Sequence, residues 1–236
     1  MNVSTSWVDS FRSNIVLFGA AGLSIIPVFR DYVLKSDLQK GVPSPVRLSF
    51  WEGIRLGIKA APATSLAVGG PLLMQRHIEP WFQDEKKTTT FRTLMLSAIV
   101  VGALSTPILL IFEGRSMNEG VLGSLKYMSC PKQYLAFSLQ EVGCVAGLSS
   151  AKYVDSEARK RFGFQEGPLL TYGSAFFSGA AGAMAGHFGN TVSTRLRNGL
   201  PVECSVKKLS LGLIPRTWAL GAYSVFFRFL SKTFDV

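Results

Sequence analysis

The sequence predicts an all-α membrane protein: six transmembrane helices in three tandem repeats of about 80 residues, closed into a pseudo-threefold bundle. Three observations lead there. The 236 residues are 47% hydrophobic and only 17% charged, against roughly 25% charged in an ordinary soluble domain. The apolar residues form long blocks with the charges gathered between them, which displaces a soluble enzyme and also a nucleic-acid binder, despite the net charge of +10. Positions about 80 residues apart carry the same kinds of residue.

Six blocks are poor in charge: residues 14–29, 60–75, 94–112, 134–151, 168–194 and 217–227 with its flanks. The third has no charge and the fifth only His187, so both read as spans on their own. The other four are shorter or carry one internal charge, such as Glu141 or Arg228. Glycine and proline are scattered through all six, which is ordinary for helices packed in lipid. The segments 30–59, 113–132 and 195–216 carry 14 basic and 6 acidic residues, whereas both termini with 75–92 and 152–166 carry 11 and 8. The positive-inside rule therefore puts the first set in the inner compartment and both termini opposite. Trp51 and Trp81 lie just beyond blocks, where an indole prefers the interface.

The period aligns Gly22, Gly102 and Gly182; Pro27, Pro107 and His187; and Lys35, Arg115 and Arg195. Intervals of 79 to 81 align Pro62, Gly143 and Ala222, and before them Lys59, Gln140 and Ala219. One domain over 1–236 thus divides into repeats at about 10–88, 89–167 and 168–236. Small residues at 19–22, 98–103 and 179–186 let backbones approach closely, as packing in lipid requires.

Chemistry is sparse. Cys130, Cys144 and Cys204 form no paired spacing, only His77 and His187 are present, and no nucleophile, base or metal set is assembled. The expectation is a non-enzyme without metal or cofactor. No secretory signal or Arg-rich transit peptide is visible at the start.

Three stretches carry a family resemblance. Gly212-Leu-Ile-Pro-Arg-Thr-Trp-Ala-Leu-Gly-Ala-Tyr-Ser-Val-Phe-Phe-Arg228 resembles G-[LF]-x-P-R…P-x-x-A-x-x-F, Asn190-Thr-Val-Ser-Thr-Arg-Leu-Arg197 resembles D-x-x-K-T-R-L-Q, and Lys59-Ala-Ala-Pro62 resembles R-x-x-P. With the threefold period, the chain resembles the mitochondrial carrier family over about residues 10–235. The resemblance implies three repeats of two transmembrane helices joined by a short matrix-side helix, in the mitochondrial inner membrane, with the termini on the intermembrane-space side. It implies substrate-contact positions at Lys59, Gln140, Glu141 and Ala219. Lys35, Arg115 and Arg195 become candidate contacts for lipid such as cardiolipin, and a plain positive-inside role explains them nearly as well.

The departures bear on function. Where the family closes its matrix side with acid–base pairs, this chain has Phe29 with Tyr32, Leu109 with Phe112, and Asn190 with Ser193. The outer ring is no better kept, with Pro71 and Met74, Tyr153 and Ser156, and a reversed Lys232 and Asp235. Alternating access needs gates that break and form, so the expectation is a carrier-like protein that has lost transport. It would serve as an accessory subunit of a respiratory-chain or ATP-synthase assembly, with membrane lipid and other inner-membrane subunits as partners and no nucleic acid. The alternative is a divergent carrier exchanging a small, weakly charged or zwitterionic metabolite. Lys59 and Glu141 then bind the solute, or else pair with each other across the cavity. A lone cavity cation argues against a highly anionic substrate.

Overall fold

A computed structural model describes residues 3–41, 45, 47–83, 89–116, 121–203 and 205–234. Among these, every regular element is helical. Helix α1 (Val3–Leu23) leads through a 3-10 turn (Ile26–Val28) into α2 (Phe29–Lys40), and α3 (Phe50–Ile78) ends in a second 3-10 turn (Glu79–Phe82). Then come α4 (Phe91–Ser116), the short α5 (Val121–Leu125), α6 (Pro131–Ser149), α7 (Ala151–Phe162), α8 (Pro168–Ala185), α9 (His187–Arg197), the short α10 (Val206–Leu209) and α11 (Leu213–Thr233).

Local chemistry sets the ends. Ser49 and Glu52 form a reciprocal capping box that starts α3. Pro131 and Pro168 occupy first turns, where a missing N–H costs nothing. The apolar block 14–29 is not one straight helix, because Pro27 sits in the 3-10 turn between α1 and α2. The block 168–194 likewise breaks at Gly186, between α8 and α9. Pro107 leaves α4 continuous: the Ala103 carbonyl that it cannot serve accepts instead from the Tyr134 hydroxyl at 2.9 Å.

The long helices form a closed ring in which α1 packs on α3, α3 on α4, α4 on α6, α6 on α8, α8 on α11 and α11 on α1. The most extensive contacts are α8 with α11, α1 with α3 and α4 with α6. Neighbours run antiparallel. Gly22 lies against Ala61 and Ser65 while Gly57 lies against Ile26; Gly102 meets Val142 while Thr106 bonds Ser138; Gly179 meets Leu220 and Ser224 while Arg216 reaches Ala183. Between neighbouring repeats, α6 packs on α8 through Gly143, Gly147, Gly182 and Gly186. Gly22, Gly102 and Gly179 therefore play the same part, and the third segment runs three residues short of the 80-residue register.

Inside the ring Leu17, Ile25, Val28, Leu72, Leu148, Ala219 and Tyr223 form a buried apolar plug, and the Tyr223 hydroxyl donates to Ala21 O at 2.7 Å. Outside it, large apolar side chains are exposed on helix after helix: Ile58 and Leu66, Ile99 and Leu104, Leu135 and Leu139, Phe177 and Met184, Trp218 and Phe226. Burial by lipid would remove that cost of exposure. Among the described residues, one helical stretch, Ser10–Lys40, is long and apolar enough to cross a membrane by length and composition. Helix α3 holds Arg55 and Lys59 within its run, and α8 ends at Ala185.

Candidate functional site

A cavity of about 770 Å³ occupies the middle of the ring. Helix α2 contributes Phe29, Tyr32 and Lys35, α3 contributes Lys59 and Thr64, α4 Leu109, α6 Gln140, Glu141 and Cys144, α9 Asn190, and α11 Arg216, Leu220 and Tyr223. The side toward α3 is largely apolar, with Leu56, Ala60, Ala63, Ala67 and Val68. Three cations and one carboxylate therefore line one space. Lys59 is exposed at its rim, whereas Glu141 and Arg216 are buried, and the Arg216 Nε donates to Ala183 O at 3.2 Å.

A chain of hydrogen bonds joins α2, α6 and α9 at this end of the cavity. Lys35 Nζ donates to Asn190 Oδ1 at 3.0 Å, and Gln39 Nε2 donates to the same oxygen at 2.9 Å and to Thr191 Oγ1 at 3.0 Å. Asn190 Nδ2 donates to Gln140 Oε1 at 2.7 Å, and Ser193 Oγ approaches that same oxygen at 3.4 Å. Thr194 Oγ1 donates to Gln39 Oε1 at 3.3 Å, while Arg195 donates to Gln39 O at 3.2 Å and to Pro201 O at 2.9 Å. Gln39 and Asn190 are almost fully buried, so they depend on these partners rather than on water.

Several residues sit where the sequence led us to look. Lys59, Gln140, Glu141, Phe29, Tyr32, Leu109 and Asn190 come together on one cavity, and Ser193 joins the network beside it. Three expectations need correction. Ala219 is packed in the apolar plug and does not line the cavity; the three-residue slip of the third repeat brings Arg216 to the wall from α11 instead. Lys35 and Arg195 are buried and turned inward onto Asn190, Gln39 and Pro201, which removes them from a lipid headgroup. Lys59 is not the lone cation, and among the described residues it forms no ion pair with Glu141.

The side chains of Phe112 and Arg115, and residues Cys204 and Asp235, lie outside the described residues. His187 is buried in α9 with its Nε2 3.3 Å from Thr191 Oγ1. Gln39 escaped sequence reasoning because a single glutamine in a charged helix carries no motif. Arg216 was visible in the Pro-Arg pair, but the period pointed three residues further on. Among the described residues no cluster of three His, Cys, Asp or Glu side chains is placed to hold a metal. No protein-family model matches the chain, and no curated protein matches it.

Proposed function

We propose that the chain is a carrier-like, six-span protein of the mitochondrial inner membrane that has given up transport and serves as an accessory subunit of a respiratory-chain or ATP-synthase assembly. The observation that carries this reading is the hydrogen-bonded network of Gln39, Gln140 and Asn190 with Lys35. Its shared member Asn190 occupies a position where the resemblance puts a gate ion pair, and the network ties it to α2 and α6. Buried amides sharing acceptors across three helices favour one closed arrangement, because opening them strands several polar groups at once. The apolar plug at Leu17, Leu72, Leu148 and Tyr223 closes the other side of the cavity by burying apolar surface that opening would expose. The membrane setting rests on the exposed apolar outer faces, and the organelle on the family resemblance alone.

A specific observation favours a second reading, an exchanger of a small organic solute. The cavity is of ligand size and lined by Lys35, Lys59, Arg216 and Glu141, a net positive wall suited to an anion rather than to a weakly charged or zwitterionic solute. Reconstitution into liposomes separates the two. The accessory reading expects no saturable exchange of keto acids, amino acids or nucleotides, and co-migration of the chain with a respiratory or ATP-synthase complex on native gels. Saturable uptake lost in Lys59→Ala would sink that reading.

A further inference from the structure

A second, smaller cavity of about 180 Å³ lies beyond the apolar plug, whose Leu17, Leu72, Leu148 and Phe227 form part of its wall. Three cations line it, Arg76 from the end of α3, Lys152 from the start of α7 and Arg228 from α11, and they recur at a constant interval of 76 residues. Each therefore comes from a different repeat, and the ring closure gathers them on one space. Glu79 is the single carboxylate on the wall, and its Oε1 accepts from Thr89 at 2.6 Å. Among the described residues no ion pair within 4 Å joins any of the three cations to a carboxylate, and Arg76 donates only to Ser13 Oγ, at 3.0 Å. The Lys152 ammonium is pushed down from its ordinary value by burial, then by Arg228 and Arg76, with Glu79 opposing.

Arg76 and Lys152 are exposed and Arg228 is half-buried, so solvent screens part of their mutual repulsion, and an anion that joins them removes the rest. A second observation points to such a ligand. Ser231, 6% exposed, lines the cavity with its Oγ bonded to nothing, and the Oε1 of Gln75, 2% exposed, is likewise without a donor. One is a neutral donor and the other an acceptor; both atoms are closed off at the wall of a space about six times the volume share of one water molecule, and a side-chain rotation brings them to a ligand.

We propose that this cavity binds a phosphate group that retains a hydroxyl, held by Arg76, Lys152 and Arg228 with Ser231 as a further donor. Its three unprotonated oxygens match the three cations, which bind them through charge-assisted hydrogen bonds. The remaining O–H serves Gln75 Oε1 or the Glu79 carboxylate, which would repel an oxyanion lacking a proton. Inorganic phosphate presents all three such oxygens; the singly protonated phosphomonoester headgroup of a lipid presents two, with its ester oxygen in the third place, and keeps the O–H. The site is independent of the central cavity and of whether transport is retained.

The test is thermal unfolding of the purified full chain in detergent, titrated at constant ionic strength with phosphate, sulfate or chloride. Phosphate should raise the melting temperature saturably, sulfate less and chloride not at all. Lys152→Gln should raise the melting temperature without phosphate, by relieving repulsion, and weaken the phosphate response about tenfold. Lys152→Arg should retain the response, and Ser231→Ala should weaken it without unfolding the chain. The same measurement in nanodiscs of phosphatidylcholine, with and without phosphatidic acid, identifies the source. Stabilisation by phosphatidic acid lost in Lys152→Gln assigns a lipid headgroup, and a response to free phosphate alone assigns a soluble one. Equal stabilisation by sulfate, a response kept in Lys152→Gln, or no response to either phosphate source would overturn the proposal.

Discussion

Asn190 is the residue on which most of the polar network turns. Its carbonyl oxygen serves Lys35 and Gln39 and its amide nitrogen serves Gln140, so Asn190→Ala takes one partner each from the buried Lys35 and Gln39 and from the half-buried Gln140. The expected loss is about 1–3 kcal/mol, read as a lower melting temperature in detergent. Asn190→Asp keeps the acceptor for Lys35 and Gln39, gives Lys35 a counter-charge, and is satisfied toward Gln140 by a flip of that side-chain amide. It should therefore cost less than Asn190→Ala, and the reverse order would refute the network as drawn. At the other end of the residue scale, Glu52 accepts from the Ser49 backbone N–H at 2.9 Å and from its hydroxyl at 2.8 Å, and in that order these hold its carboxyl below the ordinary value of 4.5. A carboxyl depressed in the folded state contributes stability above its unfolded value and loses it as pH falls through the folded one. Glu52→Gln should thus flatten the fall in melting temperature below about pH 4.5, the loss being confined to the acid side.

Helix α6 is held to α8 and α9 by missing side chains. A methyl placed on Gly143 would lie 2.5 Å from Gly186 N and 2.7 Å from Gly182 O, whereas one on Gly173 would meet nothing within 4 Å. Gly143→Val should then destabilise by about 2 kcal/mol or more through overpacking. Gly173→Ala should be neutral or raise the melting temperature, as expected for a glycine inside a helix with open space beside it. Equal effects at the two sites would show that α6 and α8 do not approach as described. The small-residue stretch at 179–186 was legible from composition alone, because only glycine and its smallest neighbours permit such an approach. What composition did not reveal was which glycine faced which helix. The period of 80 aligned Gly182 with Gly22 and Gly102, yet Gly179 packs on its own repeat's second helix and Gly182 on α6. That slip of three residues is why Ala219 rather than Arg216 stood out as a cavity residue; the interval of 76 that joins Arg76, Lys152 and Arg228 is a separate spacing that the period of 80 did not expose. A repeat in sequence fixes helix order well, but register follows the packing of particular side chains, and a single deletion in a surface loop resets it.

For the molecule as a whole, the alternating charge of the connecting segments and the antiparallel ring make one prediction that hydropathy cannot decide. Among the described residues, Ser10–Lys40 is the one stretch long and apolar enough to cross a bilayer by composition. If the ring as a unit spans the membrane, its two ends must be reached from opposite sides. Arg47, Lys126 and Asn198 are exposed at one set of helix ends, and Thr89, Gln165 and Thr233 at the other. Single cysteines at these positions, in a chain with Cys130, Cys144 and Cys204 replaced by serine, should be labelled in sealed membranes by an impermeant maleimide as two exclusive groups. The positive-inside rule assigns the first group to the inner compartment, since its segments carry the larger excess of Lys and Arg. Labelling of both groups from one face, with protection of Ser10–Lys40 alone, would mean that one span anchors a ring lying outside the bilayer. The exposed apolar side chains on α3, α4, α6, α8 and α11 weigh against that outcome, because outside the bilayer they would face water on every side of the ring.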